Sequence, residues 1–182
     1  MSAPSEKGLK LRPFEILLDR KLIDERIKSL GEQITRDYAG EIPVLVGVLK
    51  GCVVFLADLM RQIKLPMELE FLSAASYRKG VDRKDDIIFG SAIPIQLKGR
   101  HVLLVEGVVD SGRTVSRLTQ QVLLQEPASV AVVTLIDKPN SHRTPLEPKY
   151  VGFSLGNEFV IGFGLDNTQQ YRNLPFIGRM VD

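Results

Sequence analysis

The stretch from Val102 to Thr114 carries the densest chemistry in the chain. Apolar residues Val102 to Val105 lead into Glu106 and Gly107, then Val108 and Val109, and then Asp110-Ser111-Gly112-Arg113-Thr114. A buried strand running into a small polar loop that opens a helix leaves backbone N–H groups unpaired at the helix start. Those amides and the helix dipole together make a seat for an anion. Gly112 lets the chain turn without a Cβ clash, and Ser111 and Thr114 add hydroxyl donors. A phosphate fits such a loop. An ordinary strand-to-helix turn has a similar composition, and on shape alone the two readings are even.

Other chemically capable residues are scattered along the chain. Lys50-Gly51 breaks an apolar run, and Ser76-Tyr77 precedes a charged run that extends to Asp86. Lys138 follows the apolar run Val130 to Ile136. Glu158-Phe159-Val160 opens a stretch that reaches Asp166, and Arg172 lies shortly beyond. Each has an unremarkable explanation when taken alone. Phe159 reads as a core aromatic, Arg172 as a surface ion pair, and the charged run as a solvated loop.

The elements that must position these residues read as an open α/β fold. Asp19 to Tyr38 carries a helical apolar stripe at Leu22, Ile23, Ile27, Leu30, Ile34 and Tyr38. Pro43 to Leu49, Glu68 to Tyr77, His101 to Val109 and Val130 to Ile136 read as strands, and Ile87 to Ile95 is β-like. Cys52 to Ile63 and Thr114 to Gln125 read as helices. Tyr150 to Leu155 and Phe159 to Phe163 are expected to pair as a hairpin across Gly156-Asn157. Alternating strands and helices predict a mainly parallel, twisted sheet flanked by helices. Ligands then sit outside the carboxyl ends of the strands, which directs attention to the loops after Leu49, Val109 and Ile136.

Composition narrows the function classes. The chain has 182 residues, 44% apolar and 25% charged, with 24 basic against 22 acidic side chains. That balance gives no footprint for nucleic acid. The apolar runs are too short to span a bilayer, and residues 1–13 lack a signal-peptide core and read as a flexible tail before a single domain over 14–182. One cysteine, Cys52, and two distant histidines, His101 and His142, argue against a disulfide framework or a zinc site. A cytoplasmic location is expected.

The segment from Val102 to Thr114 resembles the phosphoribosyl-pyrophosphate motif of type I phosphoribosyltransferases. The loops around Lys50-Gly51, Ser76-Tyr77, Leu135 to Pro139, Glu158 to Asp166 and Tyr171 to Pro175 resemble the hypoxanthine-guanine branch, in the expected order. The resemblance implies a small β-rich hood formed by the chain ends, a mobile lid beginning at Ser76 and Tyr77, and an unusual peptide bond before Lys50. It implies that Ser111, Gly112, Arg113 and Thr114 hold a 5-phosphate and that Asp110 acts as catalytic base. Glu106 and Gly107 would border the ribose hydroxyls. Lys50, Gly51 and Arg172 would meet pyrophosphate, and Lys138, Phe159 and the Val160 backbone would read the purine. Asp166 and Glu106 would hold Mg²⁺. Phosphoribosyl pyrophosphate and a 6-oxopurine are the implied partners, and a homodimer or homotetramer the implied assembly.

One position departs from the motif. Gly107 stands where a second acidic residue is expected. That motivates an alternative reading, a ligand-sensing regulator on the same fold with weak or no catalysis. If the ribose site is merely impaired, Gly107→Asp should tighten binding of phosphoribosyl pyrophosphate; unchanged or weaker binding would mean the site has adapted to glycine.

Overall fold

The computed structural model describes residues 13–76, 87–89 and 96–181. Tyr77, the charged run Arg78 to Asp86, the end of the β-like stretch at Ile95 and the tail over residues 1–12 lie outside the described residues.

Two sheets organise the described residues. The larger has six strands: β2 (Val44–Leu49), β3 (Glu68–Ser76), β4 (Ile87–Phe89), β5 (His101–Val109), β6 (Ser129–Asp137) and β7 (Tyr150–Ser154). Their order is β4-β3-β2-β5-β6-β7. Every neighbouring pair is parallel except β3 with β4. The smaller sheet joins β1 (Phe14–Leu18), β9 (Ile177–Met180) and β8 (Val160–Ile161) in antiparallel fashion. This is the hood expected from the chain ends.

The proposed hairpin does not form. Tyr150–Ser154 runs parallel to β6 as the edge of the large sheet, whereas Val160–Ile161 joins β9 in the small one. Gly156-Asn157 therefore links two sheets. Local turn chemistry signalled a break in the chain correctly but could not say which strand each flank would pair with.

Among the described residues, three α-helices cover the large sheet. α1 (Arg20–Asp37) starts at Asp19, whose carboxylate accepts from the Leu22 N–H, a standard N-cap. Its buried stripe is Ile23, Ile27, Leu30 and Ile34. It packs with α2 (Val53–Gln62) against Leu45, Leu103, Val105, Val133 and Leu135 on one face. α3 (Arg113–Leu123) buries Val115, Leu118 and Val122 against Val44, Val46, Val102 and Leu104 on the other. Because side chains alternate along a strand, β2 and β5 feed both cores, and so they read as continuous apolar runs.

α1 is also tied to the edge strand β7. The Arg26 guanidinium donates to the carbonyls of Val151 and Gly152. The Tyr150 hydroxyl donates to the Asp37 carboxylate at 2.6 Å. That bond is the leading cause holding the Asp37 carboxyl below its usual range, while burial acts in the opposite sense.

Strand order reverses between β2 and β5. From β2 the connection runs outward through α2 to β3; from β5 it runs the other way through α3 to β6 and β7. Chain ends diverging there leave a crevice, the usual ligand position in open α/β sheets.

Candidate active site

A cleft of about 240 Å³ opens at that crevice, lined by Lys50, Gly51, Glu106, Val108, Asp110, Lys138, Phe159, Val160, Leu165, Asp166 and Arg172. These residues come from the carboxyl ends of β2, β5 and β6 and from the segment on either side of β8. All but Val108 and Leu165 were singled out from sequence. Ser111 to Thr114 continue from Asp110 into the first turn of α3 rather than lining the cleft. Ser76 ends β3.

The loop after β5 has the anticipated geometry. Gly112 precedes α3 with φ 74°, in the left-handed region, and no side chain caps the helix. A Cβ on Gly112 would stand 2.9 Å from the Thr144 hydroxyl and 3.2 Å from Leu146 Cδ2, so the loop is backed closely by the segment after β6. The same segment donates the Arg143 N–H to the Ser111 carbonyl at 2.9 Å.

Asp110 and Lys138 meet across the floor. Lys138 Nζ lies 3.4 Å from the Asp110 carboxylate; the lysine is almost fully buried, at 5% exposure, while Asp110 is exposed. The Lys138 N–H donates to the Val109 carbonyl at 2.9 Å, which fixes the start of the loop carrying the lysine. Phe159 is 54% exposed. A phenylalanine left in the open at a cleft wall is not a core residue, so the ordinary explanation for Phe159 fails.

Arg172 is held on the opposite side. It donates to the Gly164 carbonyl at 2.7 Å and forms an ion pair with Asp166 at 2.7 Å. Its Nε is buried and has no hydrogen-bond partner. Asp166 also accepts from the Gln169 N–H at 2.7 Å. The ion-pair explanation for Arg172 is thus correct as far as it goes, with one donor left over.

Glu106 receives the Gly107 N–H at 2.9 Å. Burial pushes its carboxyl up to about 8, against the opposing pull of the Gly107 and Val108 amides. Cys52, fully buried beneath it, has its thiol pushed up to about 12 by burial, with Glu106 adding to the effect. It is a core residue and no nucleophile.

Gly107 has a packing reason. A Cβ there would stand 2.7 Å from the Gly51 carbonyl oxygen, 2.9 Å from the Gly51 carbonyl carbon and 2.9 Å from Leu165 Cδ2. From the other side, a Cβ on Gly164 would stand 2.6 Å from the same oxygen. The Gly51 carbonyl therefore occupies a slot between two glycines. The peptide bond entering Lys50, Leu49–Lys50, is cis, as the resemblance implied. Gly107 is a requirement of this packing, which removes the motive for the regulator reading.

Comparison with known proteins agrees with this geometry. The phosphoribosyl transferase domain family matches residues 14–168. An open α/β sheet with an uncapped helix start beside its crevice is the architecture of that class, and this chain belongs to the phosphoribosyltransferase family. Hypoxanthine-guanine phosphoribosyltransferase of Streptococcus pneumoniae is 42% identical over 164 residues, spanning 90% of this chain and 91% of that protein. Hypoxanthine phosphoribosyltransferase of Salmonella typhimurium is 40% identical over 169 residues, 92% and 95% of the two chains. The crystal structure of a Bacillus anthracis hypoxanthine-guanine phosphoribosyltransferase with HEPES in its active site superposes with a TM-score of 0.87 at 36% identity, covering 94% of this chain and 99% of that one.

Several contributors to the site had no role assigned from sequence, although Asp137 and Gly164 lie inside segments that carried the resemblance. Asp137, His142 and Thr144 back the loops from behind, and Gly164 shapes the Gly51 slot.

Proposed function

We propose that this chain transfers the 5-phosphoribosyl group of phosphoribosyl pyrophosphate to a 6-oxopurine, hypoxanthine or guanine, and releases pyrophosphate. The observation that carries this reading is the Asp110–Lys138 pair beneath exposed Phe159 in one cleft. A purine laid on Phe159 presents its 6-oxo group to Lys138, an obligate donor, and its N7 to Asp110. Adenine offers an amino donor at the same position and is disfavoured. Val160 would supply backbone contacts at the base edge.

The bond between N9 and C1 of the ribose forms as the bond from C1 to the pyrophosphate oxygen breaks. The proton on the purine passes to or is shared with Asp110, help typically worth about 10²–10⁴-fold. The developing positive charge on the sugar resembles that of other displacements at a sugar C1. Ser111, Gly112, Arg113 and Thr114 hold the 5-phosphate on the α3 amides. Glu106 takes a ribose hydroxyl. Lys50, the Gly51 backbone and Arg172 meet pyrophosphate, Arg172 lining the same cleft as Lys50 and Gly51.

Mg²⁺ fits this cleft. Glu106 and Asp166 both line it with carboxyl oxygens. Such a sparse set suits an ion that keeps waters and substrate oxygens. Asp166 and Glu106 would hold it, and it would neutralise and orient the pyrophosphate leaving group.

The working unit in this reading is one domain over 14–182, in the cytoplasm, assembled as a homodimer or homotetramer. No described helix is long and apolar enough to cross a membrane. The direct test supplies phosphoribosyl pyrophosphate and Mg²⁺ with each purine in turn. Hypoxanthine and guanine should yield nucleoside monophosphates and adenine none; no turnover with any base overturns the proposal.

A further inference from the structure

The turn that carries Lys138 is closed by a pair that the reaction itself does not use. β6 ends at Asp137, whose backbone is held between neighbours: it pairs with Val109 of β5 and Ser154 of β7, and its carbonyl accepts from the Leu155 N–H at 2.9 Å. Its side chain points away from solvent, at 6% exposure. A buried carboxylate needs a partner. The partner is His142, whose Nε2 lies 2.8 Å from Asp137 Oδ1, with the two side chains 14% and 9% exposed. Since the carboxylate accepts, Nε2 carries the hydrogen.

Asp137 and His142 flank the intervening residues 138–141, and their contact clasps the two ends of that turn. Lys138 leaves the strand with φ −118° and ψ 75°, outside both helical and extended geometry, and a short 3-10 turn at Pro139–Ser141 follows. Immediately past the clasp, the Arg143 N–H donates to Ser111 in the loop before α3. The buried His142–Asp137 bond thus sets where the Lys138 ammonium stands relative to Asp110, while the α3 loop keeps its own backbone tie through Arg143.

We propose that His142 is a positioning residue for base recognition. Through Asp137 it holds the Lys138 turn, and its loss loosens the purine site selectively. The proposal rests on the reading of Lys138 as the group that meets the purine 6-oxo atom. Lys138→Gln tests that reading separately, because it must raise the KM for hypoxanthine whatever His142 does.

The test compares His142→Ala with His142→Gln, whose amide nitrogen can replace Nε2 as donor, and with Asp137→Asn. Initial rates with hypoxanthine and with phosphoribosyl pyrophosphate varied in turn give separate KM values. Losing a hydrogen bond to a buried carboxylate should raise the hypoxanthine KM of His142→Ala about tenfold or more, with the phosphoribosyl pyrophosphate KM changed much less. His142→Gln should recover most of the loss. Asp137→Asn, which keeps the size but not the charge, should fall between. If both KM values rise together, if neither moves, or if Gln fails to rescue a variant that still melts cooperatively, His142 only stabilises the fold and the proposal is wrong. Should His142→Ala fail to fold, the Gln and Asn variants decide by the same comparison.

Discussion

Adding a side chain at Gly107 should damage the enzyme, even when that side chain restores the acidic residue expected of the motif. Gly107 lies inside β5 without a positive φ, so its backbone suits any residue and the obstacle is space alone. The new Cβ would press at 2.7 Å on the Gly51 oxygen and at 2.9 Å on both the Gly51 carbonyl carbon and Leu165 Cδ2. Two of those three atoms are backbone and cannot swing aside as a flexible side chain can. Overpacking of this kind costs about 1–3 kcal/mol, and each ~1.4 kcal/mol is tenfold in an equilibrium or rate ratio. Since relief requires the Lys50-Gly51 loop to shift, the expected loss in kcat/KM for phosphoribosyl pyrophosphate is about tenfold to a hundredfold. The melting temperature should fall by about 2–4 °C for each kcal/mol. Steady-state kinetics on Gly107→Ala and Gly107→Asp, with thermal melts alongside, check this. Alanine isolates the Cβ from the charge, so both variants should lose activity. Aspartate that tightens phosphoribosyl pyrophosphate binding, or alanine that behaves as wild type, would refute the reasoning.

Other expectations are as concrete. Asp110→Asn should lower kcat by about 10²–10⁴-fold while nucleotide binding, read by calorimetry, is kept. Lys138→Gln should raise the KM for hypoxanthine at least about tenfold and narrow the preference over adenine, a loss expected when a charge-assisted hydrogen bond goes. Tyr150→Phe should cost about 1.5–3 kcal/mol at neutral pH, since it deletes a hydrogen bond to a carboxylate. Because the Tyr150 bond is the main cause lowering the Asp37 carboxyl in the folded protein, wild type should lead Tyr150→Phe above the ordinary value of 3.8. That lead should fade as pH falls through the depressed folded value, which urea melts at several pH values would read. Chelation of Mg²⁺ should abolish turnover, and added Mg²⁺ should restore it.

Much of the architecture was legible because local patterns decide it. Val44 to Leu49 and Val130 to Ile136 are apolar on both faces since the sheet is covered on both sides, so strand and parallel setting came together. The apolar stripe read over Asp19 to Tyr38 marked α1 almost to the residue, whereas the Asp19 cap shows only in the fold. Pairing partners were another matter. Gly156-Asn157 looks like a hairpin turn, yet its flanks join different sheets, because sheet membership depends on the long-range neighbours β6 and β9. The cleft residues were found through the order of several weak segments rather than through any one of them. Phe159 alone pointed to the core, and only its exposure in the fold reverses that. Gly107 read as a deficit because its reason lies across the crevice at Gly51, a contact that sequence spacing does not encode. The pairing of His142 with Asp137 was hidden for the same reason. A lone histidine five positions after a strand-end aspartate has no signature until the turn between them closes.

A crystal structure of the protein with inosine monophosphate is the most direct test. The 5-phosphate should sit on the amides and hydroxyls of Ser111 to Thr114, the base on Phe159, and the 6-oxo oxygen within hydrogen-bond distance of Lys138 Nζ, with N7 facing Asp110. A nucleotide bound with its phosphate away from the α3 loop, or with its base outside the cleft between Lys138 and Phe159, would contradict this reading.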